Sequence, residues 1–188
     1  SCPSAPTSLF VSVIGPPDMP GQITGDLTVC SGVEQAYSIV PVAGALAYEW
    51  NTPAGWIGTS TTINWSGTVG SQSGEISVVA INACGPSNAQ SVFVDVTRTP
   101  GQPSIINGKD TICFGVPETY NIEQIPNAVY EWTLPGDWFT PDNFQSTINC
   151  IPGTSGIISV VASTGECVSP SRTIDVVVNL APEPIQAI

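Results

Sequence analysis

A nine-residue segment that occurs twice constrains the fold of this chain more than any other feature. Residues 48–56 read Y-E-W-N-T-P-A-G-W, and residues 130–138 read Y-E-W-T-L-P-G-D-W. Other residues recur at the same interval of 82 or 83 positions, namely Cys30 and Cys113, Tyr37 and Tyr120, Ser77 and Ser159, and Cys84 and Cys167. A repeat of this length exceeds the roughly 20 to 50 residues of a solenoid unit, so each copy is predicted to be a small domain with its own core.

The repeat interval places two modules in the chain, module 1 at residues 17–98 and module 2 at residues 99–180. The joints around them are rich in proline, at residues 16–20, 99–103 and 182–184. Proline restricts φ and favours extended polyproline geometry, so these short linkers are expected to be semi-rigid.

The two ends of the chain match parts of further modules. Residues 9–13 align with residues 92–96, which form the last strand predicted in module 1. We therefore expect residues 1–16 to be the last strand of a preceding module. Residues 181–188 resemble the start of a module and are expected to be a linker into a following one.

Apolar residues alternate with polar ones along most of each module, which is the pattern of a half-buried β-strand. Tyr48 and Trp50 flank Glu49, so both rings would face one side of an extended strand. Similar runs occur at Tyr37 and Ile39, Ile76 to Ala80, Val92 to Val96, Tyr120 and Ile122, Tyr130 and Trp132, Ile158 to Ala162, and Ile174 to Val178. Turn-forming residues separate these runs, since the chain contains 18 Gly and 18 Pro. The pattern predicts an all-β protein of two tandem immunoglobulin-like β-sandwich modules with six to seven strands each.

The charge of the chain excludes several classes of function. It has 15 acidic and 3 basic residues, no His, and a formal net charge of −12. A phosphate backbone is bound by clustered Lys and Arg, so nucleic acid is not an expected partner. No apolar run approaches the roughly 18 residues that a membrane-spanning helix needs, so membrane insertion is not expected either.

Several short motifs together resemble a known family. In module 1 they are P-G-Q-I-T-G at residues 20–25, Cys30, Y-S-I at residues 37–39, Y-E-W at residues 48–50, P-A-G-W at residues 53–56, and G-E-I-S-V-V-A-I-N-A-C-G at residues 74–85. Their order resembles the PKD-like domains that occur in tandem in secreted surface proteins and adhesins of Bacteroidetes-type bacteria. The resemblance covers residues 2–184. The W-D-F-G-D-G motif of the original PKD domains is absent, so no property of that acidic loop is expected here.

The resemblance implies a secreted, cell-surface-associated protein in which these modules have a structural role. We expect non-catalytic spacer modules of an adhesin or fibre stalk, with neighbouring modules of the same array, or other copies in a fibre, as partners. A filament subunit is one form of this hypothesis. The alternative is a carbohydrate-binding accessory module of a secreted polysaccharide hydrolase, with a polysaccharide as partner.

The residues themselves argue against an enzyme, a metal site or a cofactor. There is no His, and Lys109 is the only lysine, so no activated nucleophile can be assembled. Carboxylates are plentiful, but no D-x-D-x-D-G calcium loop occurs. Neither catalytic residues nor metal ligands are therefore predicted.

Four of the six cysteines recur at matched positions of the two modules. Their even number, their equal spacing and the extracellular setting predict disulfides between Cys30 and Cys84 and between Cys113 and Cys167. Closing a loop of this size would stabilise a module by at most about 4 kcal/mol. Metal ligation is the alternative, but the absence of His and of any C-x-x-C motif disfavours it.

Cys2 and Cys150 remain outside these two pairs. Cys2 aligns with Cys84 of module 1, and Cys150 matches Trp65, so Cys150 is expected inside the sandwich. A buried free thiol is the simpler interpretation of Cys150. The alternative is a Cys2 to Cys150 disulfide between neighbouring chains of a filament.

Three further residues are candidate sites for sugars. Trp56 and Trp138 follow the Pro-Gly turn of each nonapeptide and are candidate carbohydrate contacts, because an aromatic face stacks on a pyranose; a structural role in the core is the alternative. Thr111 lies in the sequence Asp110-Thr111-Ile112, which resembles the D-[ST]-apolar site of bacterial O-glycosylation. Thr111 is therefore a candidate modification site.

Overall fold

The structure is a computed structural model that describes residues 9–11 and 13–180. Every helix or strand among these residues is a β-strand, and none of them forms a helix that could cross a membrane. The chain divides into two compact units, and the division falls between Val96 and Thr97.

The first unit contains seven strands arranged in two sheets. They are β1 (Thr28–Cys30), β2 (Glu34–Ser38), β3 (Ala47–Asn51), β4 (Asn64–Thr68), β5 (Gly74–Asn82), β6 (Gly85–Pro86) and β7 (Gln90–Thr97). The larger sheet has the order β1-β7-β5-β3, with β6 paired to β5. The smaller sheet pairs β2 with β4 in antiparallel register.

The second unit repeats this arrangement with another seven strands. They are β8 (Thr111–Cys113), β9 (Glu118–Asn121), β10 (Val129–Thr133), β11 (Thr147–Cys150), β12 (Gly156–Thr164), β13 (Cys167–Val168) and β14 (Arg172–Asn179). The larger sheet has the order β10-β12-β14-β8, with β13 paired to β12, and the smaller sheet pairs β11 with β9. The prediction of two tandem immunoglobulin-like β-sandwich modules is confirmed.

The alternation of apolar and polar residues explains which face of each strand is buried. In β3, Tyr48 and Trp50 are buried while Glu49 between them is exposed. Antiparallel pairing places Tyr48 opposite Ala80 and Trp50 opposite Val78 on the neighbouring strand β5. Successive strand residues point to opposite faces, so these four side chains share the inner face of the sheet.

Residues 9–11 and 13–16 contain no strand, although the sequence pattern predicted one there. The side chains of Leu9 and Phe10 are 87% and 100% exposed. An extended segment becomes a strand when a neighbouring strand supplies hydrogen-bond partners. Within the described part of the chain, no strand pairs with this segment through its backbone, although the side chains of Asn82 and Cys84 donate to the carbonyls of Gly15 and Ile14.

Candidate functional site

The aromatic residues of the first unit form one packed cluster. The ring centroids of Tyr37 and Trp56 are 6.2 Å apart, those of Tyr37 and Trp65 6.0 Å, and those of Trp56 and Trp65 5.8 Å. The rings are tilted by 35° to 45° against each other, an arrangement that aromatic pairs favour. Tyr37 and Trp65 are fully buried between the two sheets. The cluster is therefore the centre of the core.

The two tryptophans proposed as carbohydrate contacts belong to the cores. Trp56 and Trp138 are each only 8% exposed. The indole N–H of Trp56 donates to the carbonyl of Gln72 at 3.2 Å, and that of Trp138 donates to the carbonyl of Thr154 at 2.7 Å. A pyranose stacks on an open ring face, which neither residue offers. The structure supports the structural alternative for both tryptophans.

A tyrosine and a glycine pack against each other in both units, and sequence reasoning missed this contact. A Cβ atom added to Gly25 would lie 2.3 Å from the Tyr37 ring, and one added to Gly108 would lie 2.2 Å from the Tyr120 ring. Only glycine therefore fits at either position. The signal was present in the sequence, because Gly25 and Gly108 recur at the repeat interval.

The hydroxyl groups of the same tyrosines are bonded inside the fold. Tyr37 donates to the carbonyl of Asp26, and Tyr120 donates to the carbonyl of Lys109, both at 2.8 Å. Burial, reinforced by the Asp26 carboxylate, raises the pKa of Tyr37 to about 12. Burial also raises the pKa of Tyr120 to about 12, with smaller contributions from Cys150 and nearby carboxylates. Both tyrosines are therefore neutral hydrogen-bond donors at physiological pH.

The register of the smaller sheets corrects the counterpart expected for Cys150. In the first unit Tyr37 lies opposite Trp65, whereas in the second unit Tyr120 lies opposite Ile148. Ile148 is thus the counterpart of Trp65. Cys150 lies two residues further along and corresponds to Gly67. The similar segments I-N-W and I-N-C suggested otherwise, but a shift of two residues keeps a side chain on the same face, so Cys150 is still buried.

The Cys150 thiol is free and buried, with only 2% of the residue exposed. Burial, followed by the charge of Glu118, raises the pKa of this thiol to about 11. The reactive form of cysteine is the thiolate, which is scarce at physiological pH when the pKa is this high. Burial and a raised pKa both disfavour an intermolecular disulfide at Cys150, while Cys2 lies outside the described residues.

The predicted disulfides Cys30–Cys84 and Cys113–Cys167 are wrong. Cys84 and Cys113 carry free thiols, whereas Cys30 and Cys167 are both disulfide-bonded. The spacing correctly matched Cys30 with Cys113, which each end the first strand of a unit, whereas strand pairing places Cys167 one residue beyond the counterpart of Cys84. The spacing did not identify which cysteine bonds to which.

Strand pairing explains why the two cysteines of one module do not bond to each other. Cys113 lies opposite Asn179 at the end of β14, whereas Cys167 lies opposite Thr164 at the end of β12. These are opposite ends of the larger sheet, because β12 and β14 are antiparallel. From the paired residues Val160 and Arg172, β12 continues four residues to Thr164 and β14 continues seven residues the other way to Asn179. At about 3.3 Å per residue, the two cysteines are therefore separated by more than roughly 30 Å along the sheet. A disulfide requires Cα atoms within about 7 Å.

The polar residues considered as sites lie on the surface and do not form a common cluster. Thr111 is exposed at the start of β8 and remains a candidate for O-glycosylation. Lys109 forms a salt bridge of 2.8 Å with Glu118, and its side chain is 69% exposed. Among the described residues no group of three or more His, Cys, Asp or Glu is arranged to hold a metal ion.

Two tandem β-sandwiches of immunoglobulin-like topology define the class to which this chain belongs. PKD-like and related immunoglobulin-like modules are typically non-catalytic. The model of the PKD-like domain family matches residues 16–94 and residues 99–176. The chain therefore belongs to the PKD-like domain family, and the resemblance inferred from its motifs is confirmed. Its origin in Bacteroidetes-type bacteria stays a prediction.

Several solved structures are similar to this chain in fold alone. The FN1-FN3 domains of chicken CNTN1 match at 16% identity over 88% of this chain and 69% of theirs, with a TM-score of 0.43. A two-domain fibronectin type-III segment of chicken tenascin matches at 13% identity over 84% and 98%, with a TM-score of 0.44. The insect immune protein hemolin matches at 12% identity over 93% and 49%, with a TM-score of 0.41. No curated protein matches the chain.

Proposed function

We propose that the two modules are non-catalytic spacers of an extracellular or cell-surface repeat protein, as in the stalk of an adhesin or fibre. The observation that carries this proposal is the repetition of one closed core. Each unit has its own buried cluster of apolar residues, and the two clusters share no residue. A module that completes its own core can be repeated along a chain to add length without new binding contacts.

Two further observations support an extracellular spacer. The disulfide-bonded state of Cys30 and Cys167 suits a compartment outside the reducing cytoplasm. The net charge of −12 disfavours non-covalent association between like modules. The carbohydrate-binding alternative has no comparable support, because the rings of Trp56 and Trp138 are buried.

The spacer role is tested by exchanging the modules within the repeat protein that carries them. In one variant residues 17–180 are replaced by two unrelated immunoglobulin-like modules of the same length, and in another they are deleted. We expect the replacement to retain cell adhesion and the deletion to reduce it, because a spacer contributes length alone. If the replacement loses adhesion as fully as the deletion does, the modules make specific contacts and the spacer role is refuted.

A matched comparison separates binding from folding in the same assay. Gln72→Ala removes an exposed side chain and keeps the backbone carbonyl that receives the Trp56 indole N–H. Trp56→Ala removes a buried core side chain and is expected to destabilise the first unit by about 3–5 kcal/mol. For a spacer, any loss of adhesion in Trp56→Ala should follow the loss of folded protein, measured by circular dichroism and protease resistance. Loss of adhesion in a fully folded variant would instead indicate a binding surface.

A further inference from the structure

Two exposed thiols mark opposite ends of the repeated module. Cys113 is the last residue of β8, beside the C-terminal residue of β14 in the larger sheet. Cys84 lies in the turn between β5 and β6, at the end of the first unit's larger sheet that contacts Ile14 and Gly15, the incoming chain before β1. There its thiol donates to the carbonyl of Ile14 at 3.0 Å. Both thiols are free and exposed.

The repeat identifies a bonded counterpart for each free thiol. At the repeat interval, Cys113 matches Cys30, and these two form one type of cysteine position. Cys84 matches Cys167, and these two form the other type. Cys30 and Cys167 are both disulfide-bonded. Cys167 is displaced by one residue in its turn, because it pairs with Thr164 as the first residue of β13. Its sulfur nevertheless lies 3.8 Å from the carbonyl oxygen of Thr97, a contact equivalent to that of Cys84 with the incoming chain. Cysteines of both types thus occur in the bonded state.

The surroundings of the two free thiols are complementary. A cleft of about 240 Å³ lies beside Cys84, and its lining is almost entirely apolar, including Ile14 and the 80% exposed Leu46. Phe114, which directly follows Cys113, is 55% exposed. Burying that ring in an apolar cleft is favourable, because it removes apolar surface from water. The cleft can therefore receive an aromatic residue next to an incoming thiol.

We propose that Cys113 of one copy of this pair of modules forms a disulfide with Cys84 of the next copy. Within one module the two types of position, which are Cys113 and Cys167 in the second unit, lie roughly 30 Å apart at opposite ends of the sheet. This distance excludes a disulfide inside a module. The free thiols are one of each type, so they join copies end to end in one direction. This bond gives each module end a covalent partner and does not depend on the spacer role.

The bond requires a two-electron oxidant, for which a small-molecule disulfide such as oxidised glutathione is sufficient. The thiolate of one cysteine attacks this disulfide, forms a mixed disulfide and releases one glutathione thiolate. The thiolate of the other cysteine then attacks the protein sulfur of the mixed disulfide and displaces the second glutathione. Two protein thiols and one glutathione disulfide thus become one protein disulfide and two glutathione thiols.

Complementary single variants of the 188-residue chain test the pairing. All of them carry Cys2→Ser, so that a residue outside the described part of the chain takes no part. After incubation with oxidised glutathione, Cys84→Ser alone and Cys113→Ser alone should both stay monomeric in non-reducing electrophoresis. Their equimolar mixture should form dimers and no larger species. Mass spectrometry of the dimer should identify a peptide pair linked through Cys84 and Cys113.

Matched controls make the result specific to these two positions. The chain with both thiols intact should form a ladder of oligomers that a reductant collapses to the monomer. Cys150→Ser should leave this ladder unchanged, because Cys150 is buried. Circular dichroism should show that the exposed Cys84→Ser and Cys113→Ser substitutions leave the fold intact. Dimers of either single variant with itself would overturn the proposed pairing.

Peptide mapping of the repeat protein as isolated from its source distinguishes the two sources of the partner. Suppose that mapping finds a disulfide between a Cys84-type and a Cys113-type cysteine. If reducing the protein leaves its molecular mass unchanged, both cysteines belong to one polypeptide. The same linkage with a lower mass after reduction joins separate polypeptides. Free thiols at both positions in the isolated protein, together with a monomeric mixture of the two variants, would overturn the proposal.

Discussion

At the scale of single residues, the contact between Tyr120 and Gly108 holds an aromatic ring against bare backbone. Tyr120 is fully buried, and its hydroxyl group donates to the carbonyl of Lys109 at 2.8 Å. The ring has no room to withdraw, because protein interiors are close-packed. The same contact recurs in the first unit between Tyr37 and Gly25. This repetition indicates that it is part of the module's design.

Replacing Gly108 with alanine should destabilise the second unit. The new Cβ would lie 2.2 Å from the Tyr120 ring, and overpacking of a core typically costs about 1–3 kcal/mol. Gly101→Ala is the control, since no atom lies within 4 Å of its added Cβ. Urea unfolding monitored by circular dichroism should detect the difference. Equal stability of the two variants would contradict the role assigned to Gly108.

The buried tyrosines should make the protein sensitive to high pH. The pKa values of Tyr37 and Tyr120 rise from 10.0 to about 12 on folding, so the folded state holds these protons more tightly than the unfolded state. Their stabilising contribution is complete below pH 10 and is lost as the pH rises towards 12. The free energy of unfolding, measured in urea between pH 8 and roughly 11.5, should therefore decrease above pH 10.

The double variant Tyr37→Phe, Tyr120→Phe is the control for this pH dependence. At neutral pH it should be less stable, because each lost hydrogen bond contributes about 1 kcal/mol. Above pH 10 its stability should fall less steeply than that of the unaltered chain. A residual loss beginning near pH 9 is expected in both proteins, because burial raises the pKa of Cys150 from 9.0 to about 11. An unchanged slope in the double variant would show that other groups cause the alkaline loss.

At the scale of elements, the equivalent strands β4 and β11 fill the same part of the core with side chains of different size. In the first unit the large Trp65 side chain lies over Gly67, since a Cβ on Gly67 would be 2.9 Å from the Trp65 ring. In the second unit the smaller Ile148 takes the position of Trp65, and Cys150 takes the position of Gly67. A large and a small residue have thus been replaced by two residues of intermediate size.

This exchange predicts a measurable coupling between positions 148 and 150. Ile148→Trp alone should destabilise the second unit by about 1–3 kcal/mol, because the indole meets the Cys150 side chain. Cys150→Gly alone should also destabilise the unit, because it leaves a cavity and frees the backbone. Combined, the two changes should lose less stability than their sum, by a coupling of about 0.5–3 kcal/mol. Additive losses in a double-mutant cycle by urea unfolding would refute the assigned register.

At the scale of the whole molecule, two modules of one design carry a large negative charge. Each unit has its own core. The formal net charge is −12, with an isoelectric point near pH 4.1. Like charges on a surface keep proteins apart in solution, so the charge favours the solubility of a protein built from repeated modules. Any association between copies must overcome this repulsion, and a covalent bond at the module ends would do so.

The solution behaviour of the chain should follow this charge. At neutral pH and low salt we expect net repulsion between chains, which weakens as added salt shortens the Debye length from about 10 Å at 0.1 M to about 3 Å at 1 M. Repulsion should vanish near pH 4.1, where the net charge is zero. Static light scattering in the presence of a reductant measures this as the second virial coefficient. A coefficient insensitive to pH and salt would show that charge does not control association.

Some properties of this protein follow from its sequence alone. The interval between repeated residues predicts two modules, and the alternation of apolar residues predicts an all-β sandwich and the buried face of each strand. The alternation alone assigned Tyr48, Trp50 and the valine-rich strands to a core, before any tertiary structure was considered. These predictions succeed because alternation and repeat spacing are local properties of the chain.

Other properties were decided only by the tertiary structure. The counterpart of Cys150 depends on the register between β9 and β11, and a shift of two residues leaves the alternation unchanged, so the sequence cannot report it. The partners of the cysteines depend on which end of a sheet each one occupies, and antiparallel pairing places Cys113 and Cys167 at opposite ends. The burial of Trp56 and Trp138 likewise depends on the rings that pack around them. Each of these facts is set by contacts between residues far apart in sequence, whereas the repeat and the alternation are written along the chain.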